Sequence, residues 1–209
     1  MATAKKAPTM KSSAKAGVTN KVTNETSAEK DVPEKKKRPK PTRRPSWDET
    51  FMNRVIELAR RPHCVHYKVA CAFVNPNNRE ICSGYNGPAP GRPHCDDPFV
   101  GCNKERNPPL PCIGNHAEDN AIREIKGALN EELAGSTMYT TLFPCTHCMK
   151  NVCSNGTKRI VYLRVYKRKI KGSDTQGMSD FESALFIARD FGVKVECWDP
   201  KTKTTKRTA

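Results

Sequence analysis

From Ser46 onward the apolar residues fall into short, regular groups. Phe51, Val55, Leu58 and Ala59 recur at helical spacing behind Ser46 and Glu49, whose three-residue separation is that of a capping box, so a first helix is predicted there. Val69 to Val74 and Glu80 to Tyr85 are short apolar runs joined by Asn75-Pro76-Asn77-Asn78, a turn sequence, which predicts a β-hairpin. The stretch from Gly84 to Gly114 is rich in Gly and Pro and follows neither period, so it is expected to be irregular. After it the pattern predicts a helix over 116–129, a strand over 137–142, a helix over 145–155, a strand over 159–165, a helix over 179–191 and a strand over 193–198. Strands alternating with helices imply βα crossovers and an α/β sheet covered on both faces.

Residues 1–45 break this pattern. They contain no Ile, Leu or aromatic residue and are rich in Lys, Ala, Thr, Ser and Pro, so they are expected to form a disordered basic tail. The chain therefore divides into a tail (1–45), a catalytic domain (46–200) and a short basic C-terminal tail (201–209).

Of 209 residues, 37 are Lys or Arg and 22 are Asp or Glu, a formal charge of +15 that suggests a nucleic-acid binder. Its distribution weakens that reading: 13 basic and four acidic residues lie in 1–45, but 20 basic and 17 acidic in 46–198. Within the tail, Lys35-Lys36-Lys37-Arg38 between prolines resembles a nuclear-import signal or a nonspecific phosphate-binding arm, with a merely solvated tail as the alternative. No apolar run approaches the roughly 20 residues of a membrane span, and no secretory signal opens the chain, so a cytoplasmic protein is expected, with nuclear entry through the basic run. Ten cysteines in a reducing compartment then read as thiols or metal ligands rather than disulfides.

Two motifs carry the chemistry. His116-Ala117-Glu118 opens one predicted helix, and Pro144-Cys145-Thr146-His147-Cys148 opens the next. A Cys-x-x-Cys at a helix start lets both sulfurs face one point, and the positive helix end favours thiolates. With His116 as third ligand, Cys145 and Cys148 leave the fourth position open, as a catalytic zinc requires; a structural knuckle would be closed by four protein ligands. Such a zinc lowers the pKa of a water toward neutrality. Glu118 is then the carboxylate that takes the water proton, protonates the ring nitrogen and passes a proton to departing ammonia. The combination is the signature of zinc nucleobase deaminases, which attack C4 of cytosine or C6 of adenine.

Beyond the zinc residues, the chain resembles the deoxycytidylate (dCMP) deaminase family of the cytidine-deaminase superfamily over about 46–200. The matching pieces are Trp47 to Met52, Gly84-Tyr85-Asn86-Gly87 with Gly91 and His94-Cys95, His116 to Ile122, and Thr141-Leu142-Phe143-Pro144-Cys145. The resemblance implies a three-layer α/β/α fold with a mixed five-stranded sheet, and a hydrolase converting dCMP to dUMP and ammonia for thymidylate synthesis. It implies that Asn86 bonds the deoxyribose or base, that Phe143 shapes the pyrimidine pocket, and that Tyr166 and Lys167 help hold sugar and phosphate. The surrounding strip is basic, with Lys158, Arg159, Arg164, Arg168, Lys169 and Lys171. A homo-oligomer is implied as well, activated by dCTP and inhibited by dTTP through the Gly84 to Cys95 region. Against that regulation stand Ala89-Pro90 and a Pro-rich insert at 96–112, both departures from the family pattern. The alternative is a deaminase of RNA or single-stranded DNA docked by the basic tail. A zinc-stabilised binding module without activity would have no use for Glu118.

Four further cysteines, Cys64, Cys95, Cys102 and Cys112, lie in or before the irregular stretch. A metal clip would anchor a loop with so little apolar content, and some similar deaminases carry a second zinc near Cys64 and Cys95. These four are therefore candidates for a second zinc site, with His94 as substitute ligand; several free thiols are the alternative. Cys71, Cys82, Cys153 and Cys197 are expected in the core, and His63, His66 and His147 at the surface.

Overall fold

The computed structural model describes residues 43–125, 132–166 and 179–208. The motif Lys35 to Arg38, the tail up to Thr42, and Lys167 with Arg168, Lys169 and Lys171 lie outside the described residues.

Helix α1 (Trp47–Leu58) begins as expected, with the Ser46 hydroxyl accepting from the Glu49 N–H at 3.1 Å. The Glu49 carboxylate, expected to complete the capping box, instead pairs with Arg43 at 2.8 Å and Lys203 at 2.6 Å. The hairpin of β1 (Ala70–Val74) and β2 (Glu80–Tyr85) turns at Asn75, whose side-chain Oδ1 accepts from the Asn77 and Arg79 N–H groups. There follow α2 (Ala117–Arg123), β3 (Thr137–Leu142), α3 (Thr146–Ser154), β4 (Arg159–Arg164), α4 (Asp180–Asp190), β5 (Lys194–Asp199) and β6 (Thr204–Arg207). The stretch between β2 and α2 is irregular as expected, apart from one 3₁₀ turn at Asn103–Glu105 and a bridge between Gly87 and Asn115. Helix α2 is shorter than the 116–129 expected.

The sheet is mixed, in the order β2-β1-β3-β4-β5-β6. Strands β3, β4 and β5 run parallel, while β1 pairs antiparallel with both β2 and β3. Six strands replace the expected five: Thr204–Arg207, assigned to a C-terminal tail, pairs antiparallel with β5. Thr-Thr-Lys-Arg is too polar and exposed to show a period of two, and its place is set by the turn after Asp199.

Two cores cover the two faces. Helix α1 packs Phe51, Met52 and Val55 on Ala72, Val74, Tyr139, Val161 and Trp198. On the opposite face α2, α3 and α4 bury Cys71, Phe73, Met138, Ile160 and Val195. Central β1, covered on both faces, is buried at every position, which explains its unbroken apolar run. Each fully buried side chain such as Met52 or Phe73 contributes about 1.5–3 kcal/mol. Helix α2 approaches β2 closely at Gly84, where a Cβ would stand 2.5 Å from the Ala121 nitrogen and 2.6 Å from the Ala117 oxygen. Cys71, Cys82 and Cys153 are buried in this core, and Cys197 is half-buried.

Arg159, counted in the sequence with a phosphate-binding strip, lies on the α1 side of the sheet. It donates to both oxygens of Asp48, at 2.7 and 2.8 Å, and to Glu196 at 2.6 Å, while the Tyr139 hydroxyl donates to Asp48 at 2.7 Å. Its charge is thus committed to tying α1 to β4 and β5.

Candidate active site

The candidate site lies beyond the C-terminal end of β3, where α2 and α3 begin. His116 is the N-cap residue of α2, held in place by the bridge from neighbouring Asn115 to Gly87. Cys145 is the N-cap residue of α3, three residues after β3 ends, and its sulfur accepts from the Cys148 N–H at 3.5 Å. His116 Nδ1 lies 3.4 Å from the Cys145 sulfur and 3.3 Å from that of Cys148. Among the described residues this is the one cluster of three or more such ligand atoms that all lie within 4.8 Å of one another.

The set fits zinc. Tetrahedral coordination with Zn–S of about 2.3 Å and Zn–N of about 2.0 Å places nitrogen and sulfur about 3.5 Å apart, close to both observed separations. The protonation pattern fits as well. A hydrogen bond from the Cys148 thiol, joined by His116, pulls the Cys145 thiol down to about 4. Donating that bond holds the Cys148 proton in place and pushes its pKa up, and the Cys145 thiolate raises His116 to about 9. One thiolate with two donors aimed at it is a ligand set from which a cation displaces two protons. Glu118, in the first turn of α2, is buried, and burial raises its carboxyl to about 7.

His116, Cys145 and Glu118 form part of the wall of a cavity of about 850 Å³, with Cys148 buried behind them. Asn86, Phe143 and Tyr166 line it too. Asn86 Oδ1 accepts from the Val69 N–H at 2.8 Å and its Nδ2 donates to the Tyr67 carbonyl at 2.9 Å, so its amide braces the segment before β1. Phe143 packs edge-on against Tyr162 and Phe181, and Tyr166 packs on Tyr67 with ring centroids 4.8 Å apart. Asn120, on the same helix as Glu118, donates to the Tyr85 carbonyl at 2.9 Å and accepts from Asn115, tying the Asn86 loop to α2.

Cys64, Cys95, Cys102 and Cys112 gather on another part of this wall, with His63, His66 and His94 beside them. Burial, then the neighbouring Cys102 and Cys64 sulfurs, pushes the Cys95 thiol up to about 12. Their ligand atoms are more widely spaced than those of the His116 set. His63 bonds Asp96 at 2.6 Å and lies tilted against His94 with ring centroids 4.7 Å apart; His63 and His66 are exposed, as expected, and also line the cavity. His147 is exposed, as expected. Asp180, at the start of α4, also reaches the cavity; no motif in the sequence points to it.

The model of the cytidine and deoxycytidylate deaminase zinc-binding region matches residues 45–164. The chain belongs to that family. Both zinc-signature motifs lie inside the matched span, so the expected family and its zinc-binding residues are borne out. The chain is 33% identical over 132 residues to a deoxycytidylate deaminase of Schizosaccharomyces pombe, covering 59% of this chain and 38% of that protein. To the deoxycytidylate deaminase of Saccharomyces cerevisiae it is 30% identical over 183 residues, covering 84% of this chain and 54% of the relative. It thus spans about half or less of the length of these two relatives. Among solved structures, the dCMP deaminase of cyanophage S-TIM5 in complex with dCMP and dUMP superposes with a TM-score of 0.56 at 21% identity, covering 75% of this chain and 99% of that one. The three-layer deaminase fold is thereby established for this family member.

Proposed function

We propose that the protein hydrolyses dCMP to dUMP and ammonia. The observation that carries this reading is the convergence of His116, Cys145 and Cys148, with His116, Cys145 and buried Glu118 on the wall of one cavity. Yeast relatives named deoxycytidylate deaminase, and the nucleotides in the cyanophage structure, favour dCMP among deaminase substrates.

His116, Cys145 and Cys148 would hold the zinc, which when bound would supply the Lewis acidity that lowers the pKa of the attacking water. Glu118 takes one proton from the attacking water and delivers it to N3 of the pyrimidine, then takes the proton of the new C4 hydroxyl and delivers it to the amine as the C4–N bond breaks, so that water and dCMP give dUMP and ammonia. With its carboxyl raised to about 7 by burial, it is poised to bind and release a proton near neutrality. Phe143 walls the pyrimidine, the second Nδ2 hydrogen of Asn86 serves the sugar, and Tyr166 with Lys167 holds sugar and phosphate.

Cys64, Cys95, Cys102 and Cys112, with His94 in reserve, would hold a second zinc that anchors the irregular loop, once their sulfurs draw closer together than they stand here. Family likeness supports a cytoplasmic homo-oligomer supplying dUMP for thymidylate synthesis, with dCTP and dTTP as effectors at the Gly84 to Cys95 region. The Lys35 to Arg38 run would direct a nuclear pool.

The test is ammonia release from dCMP by zinc-loaded protein, full-length and starting at Arg43. Equal turnover by both is expected. Activity on an RNA or DNA oligonucleotide but not on dCMP, lost when residues 1–42 are removed, would establish the polynucleotide reading instead.

A further inference from the structure

Asp180 is a cavity-lining carboxylate for which the reaction above has no use. A carboxylate beside a site for an anionic substrate is unfavourable unless its charge is engaged elsewhere. Its Oδ1 accepts from the Thr146 N–H at 3.1 Å and, in a short bond, from the Thr146 hydroxyl. Thr146 directly follows Cys145 and is the first residue of α3, 34 positions away from Asp180.

The start of α4 is fixed without Asp180. Ser179 and Glu182 form a reciprocal capping box, with the Ser179 N–H donating to Glu182 at 2.8 Å and the Glu182 N–H to Ser179 at 3.2 Å. Phe181 is pinned edge-on against Phe143, with centroids 4.7 Å apart. The Asp180 carboxylate, presented from this capped turn, occupies the first free N–H of α3, one of the donors a helix start leaves unpaired. It thereby restrains the peptide joining Cys145 to Thr146.

We propose that Asp180 is a positioning residue for the metal set: through Thr146 it fixes the direction in which Cys145 presents its sulfur. The inference rests on the zinc reading of His116, Cys145 and Cys148. Outer partners of this kind typically change metal affinity about 10–100-fold, and a partner acting through a neighbouring peptide belongs at the lower end.

The test is titration of the metal-free full chain with cobalt(II), followed by zinc competition. The absorption of cobalt bound by two sulfurs and one nitrogen separates this site from a sulfur-rich loop site. Asp180→Ala is expected to weaken metal binding about tenfold. Asp180→Asn, which keeps an acceptor oxygen, should retain most of the affinity. Thr146→Val should weaken binding less, and combined with Asp180→Ala should add nothing, because both remove one linkage. Unchanged affinity in Asp180→Ala, or additive losses in the double variant, would overturn the inference and leave Asp180 as a charge at its own helix start. Should Asp180→Ala fail to fold, full wild-type affinity in Asp180→Val, which likewise removes the acceptor of the Thr146 N–H, would overturn it equally. A wild-type chain that never shows the two-sulfur, one-nitrogen signature would sink the zinc reading itself.

Discussion

Nδ1 of His116 lies 3.4 Å from the sulfur of Cys145, although 29 residues separate them in sequence. The contact exists because β3 leaves its last residues at the start of α3, directly opposite the start of α2. Helix starts favour both a thiolate and a developing anion, and two of them meet here.

Replacing Glu118 with Gln keeps the shape of the side chain and removes the proton carrier. Turnover of dCMP should fall about 10²–10⁴-fold, the usual contribution of a positioned acid–base group. Zinc content, measured by atomic absorption, should stay at the wild-type value. A variant that loses its metal as well would make Glu118 a ligand rather than a proton carrier.

At Gly84 the atoms that an added Cβ would strike are backbone, so they cannot swing aside. Gly84→Ala should destabilise the fold by about 1–3 kcal/mol, as overpacked sites do. The strain falls on the turn of α2 between Ala117 and Ala121 that contains Glu118, so activity should drop more than the folded fraction. Urea unfolding and ammonia release, measured on the same preparation, separate the two effects.

Acid stability should depend on Arg159. Burial alone would raise Asp48, but hydrogen bonds from Arg159 and Tyr139 outweigh it and hold the carboxyl below its ordinary 3.8. Glu196 is likewise buried, and Lys194 and Arg159 hold it below 4.5. A carboxyl lowered by folding contributes stability that is present above its unfolded pKa and is lost as the pH falls through its folded one. The wild type should therefore lose stability as the pH drops below about 4, the ordinary carboxylate range. Arg159→Ala should cost about 3 kcal/mol at neutral pH by leaving partly buried Asp48 with the Tyr139 hydroxyl but no paired cation and Glu196 with Lys194 alone, and should flatten the acid limb. Denaturant titrations at neutral and acid pH give both values; an acid limb as steep as in the wild type would assign the lability to other carboxyls.

Metal analysis should find two zinc ions per chain, falling to one in Cys102→Ser. One ion from the start, unchanged in that variant, would leave the loop cysteines as free thiols.

The local chemistry of this protein was legible in its sequence. Cys-x-x-Cys after Pro144 and His-x-Glu before an apolar period place ligands and carboxylate at helix starts because helix geometry acts over three or four residues. The two short apolar runs around Asn75 to Asn78 read directly as the β1–β2 hairpin, and the later alternation of strands and helices as a sheet covered on both faces. What the sequence left open were the relations that cross it. Thr204–Arg207 is polar and shows no period, so its place as a sixth strand follows only from the turn after Asp199 and the free edge of β5. Arg159 reads as one more cation in a basic strip until the register of β4 turns it to the α1 side, against Asp48 and Glu196. Asn86 resembles a substrate contact, yet much of its amide is spent on Val69 and Tyr67. Asp180 meets Thr146 only because α3 and α4 pack side by side on one face of the sheet. Periodicity and capping are written in neighbouring residues, whereas the partner of a charge depends on which strands lie adjacent and which way each one faces.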